Sequence, residues 1–157
     1  MMTTMKRKEF PKAKASALDV AKYILKKMGP MGTMKLQKLV YYCQAWSLVF
    51  DDRPMFKEEI EAWVHGPVVR RLYREHRKEI EVSAKDIDGD IDALDKTARE
   101  TIDGVLSVYG KKDPFFLRLL THREPPWKNA RKGLSPNDHG DVEISLHSMR
   151  DYYSTLV

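Results

Sequence analysis

Cys43 and His65 are the first residues in the chain whose types could do chemistry together, since a thiolate activated by an imidazole is a nucleophile. Cys43, however, shares a helical arc with Leu36, Leu39, Val40, Trp46 and Phe50, where a thiol is a small hydrophobe of raised pKa. It reads as core. The five histidines contain no HExxH-like pair, so a metal site would have to be gathered from His122, His139 and Asp141, in a stretch whose Asn, Asp and Gly also suit a loop. The run from Asp86 to Asp92 looks like a calcium loop, but a glycine at the sixth position would be Gly89, and that puts Ala84 where the first carboxylate belongs. A dinucleotide fingerprint, a phosphate-binding loop, a GxSxG elbow and a spaced acid–base pair of carboxylates are all missing. A hydrolase built from His122, Glu124 and His139 is the residual enzymatic reading. The expectation is a protein that is not an enzyme and uses no metal or cofactor.

Recognition chemistry is better represented. Arg70, Arg71 and Arg74 fall within one basic stretch at helical spacing, with Arg77 and Lys78 beyond them, suited to phosphates or acidic side chains. Glu75 and Glu79 interrupt that face and dilute it for nucleic acid. Trp63 and Trp127 are residue types that dominate protein–protein contacts, though burial against the core is the favoured reading for them.

These groups need elements to hold them. Ser16 with Asp19 three residues on forms a capping box ahead of Leu18, Ala21, Ile24, Leu25 and Met28, and Gly29-Pro30 closes that helix. A second helix is expected from Thr33 to about Phe50, apolar around nearly its whole circumference and so wrapped by other helices. Alternation over Glu59–Val64 predicts a short strand, and 142–144 a second one able to pair with it. Gly66-Pro67 is expected to open a helix over 67–79, with Pro in the first turn. Residues 81–92 read as an acidic loop. Further helices are expected from Leu94 to Tyr109, from Pro114 onward, and after Ser145, with a long loop over 122–140.

The resulting fold class is mainly α: a compact single-domain helical bundle around a central buried helix, with at most a small two-stranded β element. Residues 1–15 are expected as a basic flexible tail and 16–157 as the domain. A length of 157 residues suits one domain, 42% hydrophobic residues exclude a disordered chain, and no apolar run is long enough to span a membrane. A lone cysteine and no visible signal peptide fit the cytoplasm. The net charge of +5 is uneven: residues 1–38 hold ten basic and two acidic residues. That segment keeps nucleic acid as a secondary partner.

Three segments in series carry a resemblance. They are Lys35-Leu36-Gln37-Lys38-Leu39-Val40-Tyr41-Tyr42 with Trp46; Glu61-Ala62-Trp63-Val64-His65-Gly66-Pro67-Val68-Val69 with Leu72-Tyr73; and Thr121-His122-Arg123-Glu124-Pro125-Pro126-Trp127. Their order and spacing resemble the Panacea domain family, which includes SocA-type antitoxins and GepA-type phage-associated proteins. The resemblance implies a nearly all-helical fold and an antitoxin that masks a cognate protein toxin by direct binding. It also implies a possible adaptor role toward a bacterial AAA+ protease, with transcription regulation by nucleic-acid binding as the alternative. No catalytic residues are implied. The expected contact surface is Trp63, His65, Arg70, Arg71, Arg74, His122 and Trp127.

Overall fold

In the computed structural model, which describes residues 9–157, the first helix is held at its start by two carboxylates. Helix α1 (Ala17–Met28) has Ser16 as its cap, with the Leu18 N–H donating to Ser16 Oγ at 3.1 Å and the Ser16 N–H to Asp19 Oδ2 at 2.8 Å. Glu58, far along the chain, accepts from the Ala17 N–H at 2.8 Å and from Ser16 Oγ at 2.7 Å. Negative charge at a helix N-terminus is favourable, so Glu58 fastens a distant loop by completing the cap. Asp19 reaches the other way and accepts the Asp90 N–H at 2.7 Å, which ties the acidic segment to α1. Ile87 of that segment is buried, so the acidic loop is anchored rather than fully solvated.

The expected central helix is present as α2 (Thr33–Phe50), with contacts to α1 and to three later helices. Those are α4 (Lys96–Tyr109), α5 (Pro114–Arg123) and α7 (Leu146–Tyr153). Cys43 is fully buried in α2, and burial pushes its thiol well above the ordinary range. Three polar side chains of α2, Gln37, Gln44 and Ser47, are buried too, and they serve non-helical backbone. Gln44 Oε1 accepts from the Met55 and Phe56 N–H groups at 2.7 and 3.2 Å, and its amide donates to the Phe56 carbonyl at 3.0 Å. Ser47 Oγ donates to the Arg53 carbonyl at 2.7 Å. Gln37 does the same for Val69, accepting its N–H at 2.9 Å and donating to its carbonyl at 3.3 Å.

The mainly helical expectation holds: among the described residues there are seven α-helices and five short strands. The extended part is larger than the two pieces read from sequence. Strands β1 (Met31–Gly32) and β4 (Glu81–Val82) form one antiparallel pair. Strands β2 (Ile60–Trp63), β3 (Gly66–Val68) and β5 (Glu143–Ile144) form a second sheet in the order β3-β2-β5. The pairing of the two expected strands is there, with Ile60 opposite Ile144.

Two expectations are corrected. No helix opens at Pro67: Trp63 pairs with Gly66 across the two-residue turn Val64-His65, and Pro67 lies in β3. Strand β3 is an edge strand, where a missing N–H is tolerated, and helix α3 begins only at Arg70 and ends at His76. Conversely, residues 122–140 are not all loop, because α6 (Pro125–Ala130) occupies the middle with both prolines in its first turn. Of the expected tail, residues 1–8 lie outside the described residues. Within 9–15, Ala15 is buried, its carbonyl accepts the Lys57 N–H at 3.1 Å, and the Phe10 ring lies 4.8 Å from that of His147.

Gln37→Met, of similar length and unable to hydrogen-bond, is expected to destabilise the fold by about 1–3 kcal/mol, because it leaves the buried Val69 N–H unmatched, while the Val69 carbonyl keeps the Tyr73 N–H at 3.0 Å. Urea unfolding checks this. A change below ~0.5 kcal/mol would show that Val69 is served from elsewhere.

Candidate functional site

The β2–β3 hairpin and α3 lean over the N-terminal half of α2 and leave a cavity of about 690 Å³ between them. Thr33, Met34, Gln37 and Lys38 form its floor; Trp63, Val64, His65 and Val68 come from the hairpin; Arg70 and Tyr73 come from α3. His139, Gly140 and Asp141, just before β5, close the rim. Gln37 fixes this geometry. Its amide holds Val69, the cap residue of α3, and its Nε2 lies 2.9 Å from His76 Nε2 at the far end of the same helix.

Trp63 stands at the centre of the wall. Its indole N–H donates to Glu61 Oε1 at 2.9 Å, the Tyr73 ring meets it edge-on at 4.8 Å, and the Arg70 guanidinium lies 5.5 Å from its ring. Arg70 grips the same carboxylate with bonds of 3.2 and 2.8 Å and lies 3.8 Å from Asp141. Burial alone would raise the Glu61 pKa, but the hydrogen bonds from Arg70 and Trp63 outweigh it and hold the carboxyl below its usual range. The outcome is an aromatic–guanidinium rim on an otherwise largely apolar cavity, of the kind that binds proteins well.

Lys38 is the unexpected residue. It is only 1% exposed, and it makes no hydrogen bond or ion pair among the described residues. Burial first, and then the charge of Arg118, push its amine from the ordinary value of 10.5 down to about 7. Gly66 passes directly over it. A Cβ at that position would collide with Lys38 Cε, stand 3.1 Å from Nζ, and lie 3.2 Å from Thr121 Oγ1. Gly66 also has φ of +121°, so an L side chain there is excluded by conformation as well as by space. The hairpin turn needs glycine chiefly for this backbone conformation, and the lysine end beneath it leaves little room besides.

Other bases share this neighbourhood. Burial, then the charges of Arg118 and Lys38, lower the pKa of His65 in the turn. His122 is lowered to about 4 by burial, then by Arg118, Lys38 and His65. Its ring stacks flat on Trp127, with centroids 3.9 Å apart, and its Nε2 is buried without a hydrogen-bond partner.

Of the seven expected contact residues, the structure brings Trp63, His65 and Arg70 to the cavity. Arg71 and Arg74 lie on the exposed side of α3, with Arg71 Nε 3.8 Å from Glu58. Trp127 is buried and reaches the site indirectly, its indole donating to the Trp63 carbonyl at 2.8 Å. His122 backs Trp127 rather than lining the cavity. The three residues of the hydrolase reading have different surroundings. Glu124 accepts from the hydroxyls of Tyr42 and Tyr153 at 2.6 and 2.9 Å, His122 stacks on Trp127, and His139 stands at the rim. Among the described residues, no group of three His, Cys, Asp or Glu side chains is placed to hold a metal ion. Sequence reading missed Lys38, Gln37 and Tyr73 as site residues. The one available signal was the pair Gln37-Lys38 on a helix apolar all round, where polar residues need a local reason to be buried.

No helix of the described residues is long and apolar enough to cross a membrane. The family model described as "Antitoxin SocA-like, Panacea domain" matches residues 36–128, more than half of the chain and the span from α2 through the hairpin to α6. No curated protein and no solved structure matches the chain.

A lysine whose folded-state pKa is depressed binds fewer protons folded than unfolded. Stability should therefore rise with pH above the folded value of about 7, toward the ordinary 10.5. The expected gain between pH ~7 and ~9 is about 2 kcal/mol, and Lys38→Met should flatten the profile while raising stability at pH ~7. Denaturant titrations across that interval measure both; an unchanged slope in the variant would remove Lys38 as its source.

Proposed function

This chain belongs to the SocA-like Panacea domain family, and from that premise we propose that it is an antitoxin that neutralises a toxic protein in the cytoplasm by binding it directly. The observation that carries the reading is the family match over residues 36–128. It covers the elements that build the floor and wall of the cavity. The site supports recognition: its prominent groups are an aromatic pair and a guanidinium above a floor that holds a buried amine. Hot spots in protein interfaces favour Trp, Tyr and Arg set beside a desolvated pocket, and Trp63, Tyr73 and Arg70 meet that description.

The exposed Arg71 and Arg74 motivate the second reading, contact with nucleic acid. Their side of α3 lies beside acidic groups: Arg70 is bound to Glu61, Arg71 is near Glu58, and Glu75 is on the same helix. Interleaved acids weaken phosphate binding and favour a protein partner of mixed charge.

The test is co-expression with the product of the adjacent open reading frame, scoring growth. The wild-type chain is expected to restore growth, and the double variant Trp63→Ala/Arg70→Glu to lose rescue by at least ~100-fold in plating efficiency while remaining folded. A harmless neighbour, or full rescue by the variant, overturns the reading. Toxin abundance in the rescued cells separates masking, which leaves it unchanged, from delivery to an AAA+ protease, which lowers it. For nucleic acid, duplex-DNA affinity across a salt series is expected to be weak. A steep slope, of about −3 or beyond in log–log form, would establish phosphate contact instead.

A further inference from the structure

The amine end of Lys38 is buried and makes no hydrogen bond or ion pair among the described residues. It reaches the floor of the cavity, yet no carboxylate is paired with it among the described residues. Both carboxylates near the wall are engaged elsewhere, Glu61 by Arg70 and Trp63, and Asp141 at the rim 3.8 Å from Arg70. The Arg118 guanidinium adds positive potential without adding an acceptor. Burying a charge is costly until it is paired, so such an arrangement gains most from a ligand that supplies the missing acceptor.

We propose that the cavity beneath the β2–β3 hairpin is a receiving site for a side-chain carboxylate carried by an apolar segment of the protein partner, with Lys38 Nζ as its counter-ion. The apolar body packs between Trp63, Tyr73 and Met34, and the carboxylate passes Arg70 at the rim to reach the floor. A carboxylate fits better than a phosphate, because the floor offers one ammonium and the guanidinium at the rim is already bonded. The proposal rests on the partner-binding reading above, and it names the chemistry by which the partner is recognised.

The probe is 3-phenylpropionate, an apolar body bearing one carboxylate, compared with its neutral amide and with inorganic phosphate. Binding is read on the full chain by calorimetry and by the Lys38 Cε resonance. The acid is expected to bind the wild-type chain at least ~10-fold more tightly than the amide, to move the Lys38 resonance, and to lose at least ~10-fold with Lys38→Met. The acid–amide comparison on the wild-type chain requires no variant, so it decides the matter even if Lys38→Met misfolds. Equal affinity of acid and amide, no detectable binding of the acid, an unmoved Lys38 resonance, or preference for phosphate would each overturn the proposal. Failure of the co-expression rescue with a positive acid–amide difference would leave the carboxylate site standing and sink only the antitoxin reading.

Discussion

A helix enclosed on every side has no face on which to leave a polar group, and that constraint organises this molecule. Gln37, Gln44 and Ser47 of α2 are all buried, and each is bonded to main chain outside the helices, at Val69, at Met55-Phe56 and at Arg53. The central helix therefore holds the irregular parts of the fold as well as supplying the apolar core. An unmade hydrogen bond in that position costs far more than a made one contributes, so the loops have little freedom to detach. Glu124 plays the matching part from the other side. Its carboxylate gathers Tyr42 of α2 and Tyr153 of α7, and Tyr153 lies 2.9 Å from the hydroxyl of Tyr41. Burial raises the Glu124 pKa while its two tyrosine bonds lower it, leaving the carboxyl above its usual range.

The candidate site inherits its shape from the same helix. Adjacent residues of α2 do two different jobs. Gln37 sets where α3 begins, and so where Arg70 and Tyr73 point. Lys38 meets the underside of the hairpin at Gly66. Trp63 is fixed from behind by Trp127, and the Ala62 carbonyl accepts from the buried Arg131 at 3.0 Å. Rigid support of this kind keeps a recognition surface in shape before a partner arrives, which limits the ordering cost of binding.

Much of the fold was legible in the residues. The capping box at Ser16, the span Thr33–Phe50 and the Ser145 cap are all present, because each depends on local spacing. Proline shows the limit of that reading. Pro67 and Pro125 present the same helix-start cue, yet Pro67 lies in an edge strand and Pro125 opens a helix. What separates them is tertiary: Gln37 claims the Val69 backbone, and β2 has a neighbour on each side. Lys38 was illegible for the same reason. In sequence it is one of ten basic residues at the start of the chain, and only the hairpin laid across it makes it a buried amine. Phe115, Phe116 and Leu119, on a helix begun where expected at Pro114, are largely exposed, because α5 turns other residues inward.

The single cysteine gives the molecule a gauge of its own interior. Cys43 lies in the most enclosed helix with none of its surface open to solvent, and the chain has no second thiol to confuse the signal. A thiol reagent cannot reach that sulfur through side-chain motion alone; the helices around α2 must first part. The rate of modification under native conditions therefore reports core opening: its equilibrium population where reclosing is fast, its frequency where modification outruns reclosing. It would also register whether a docked partner suppresses that opening, without any label having to be built in.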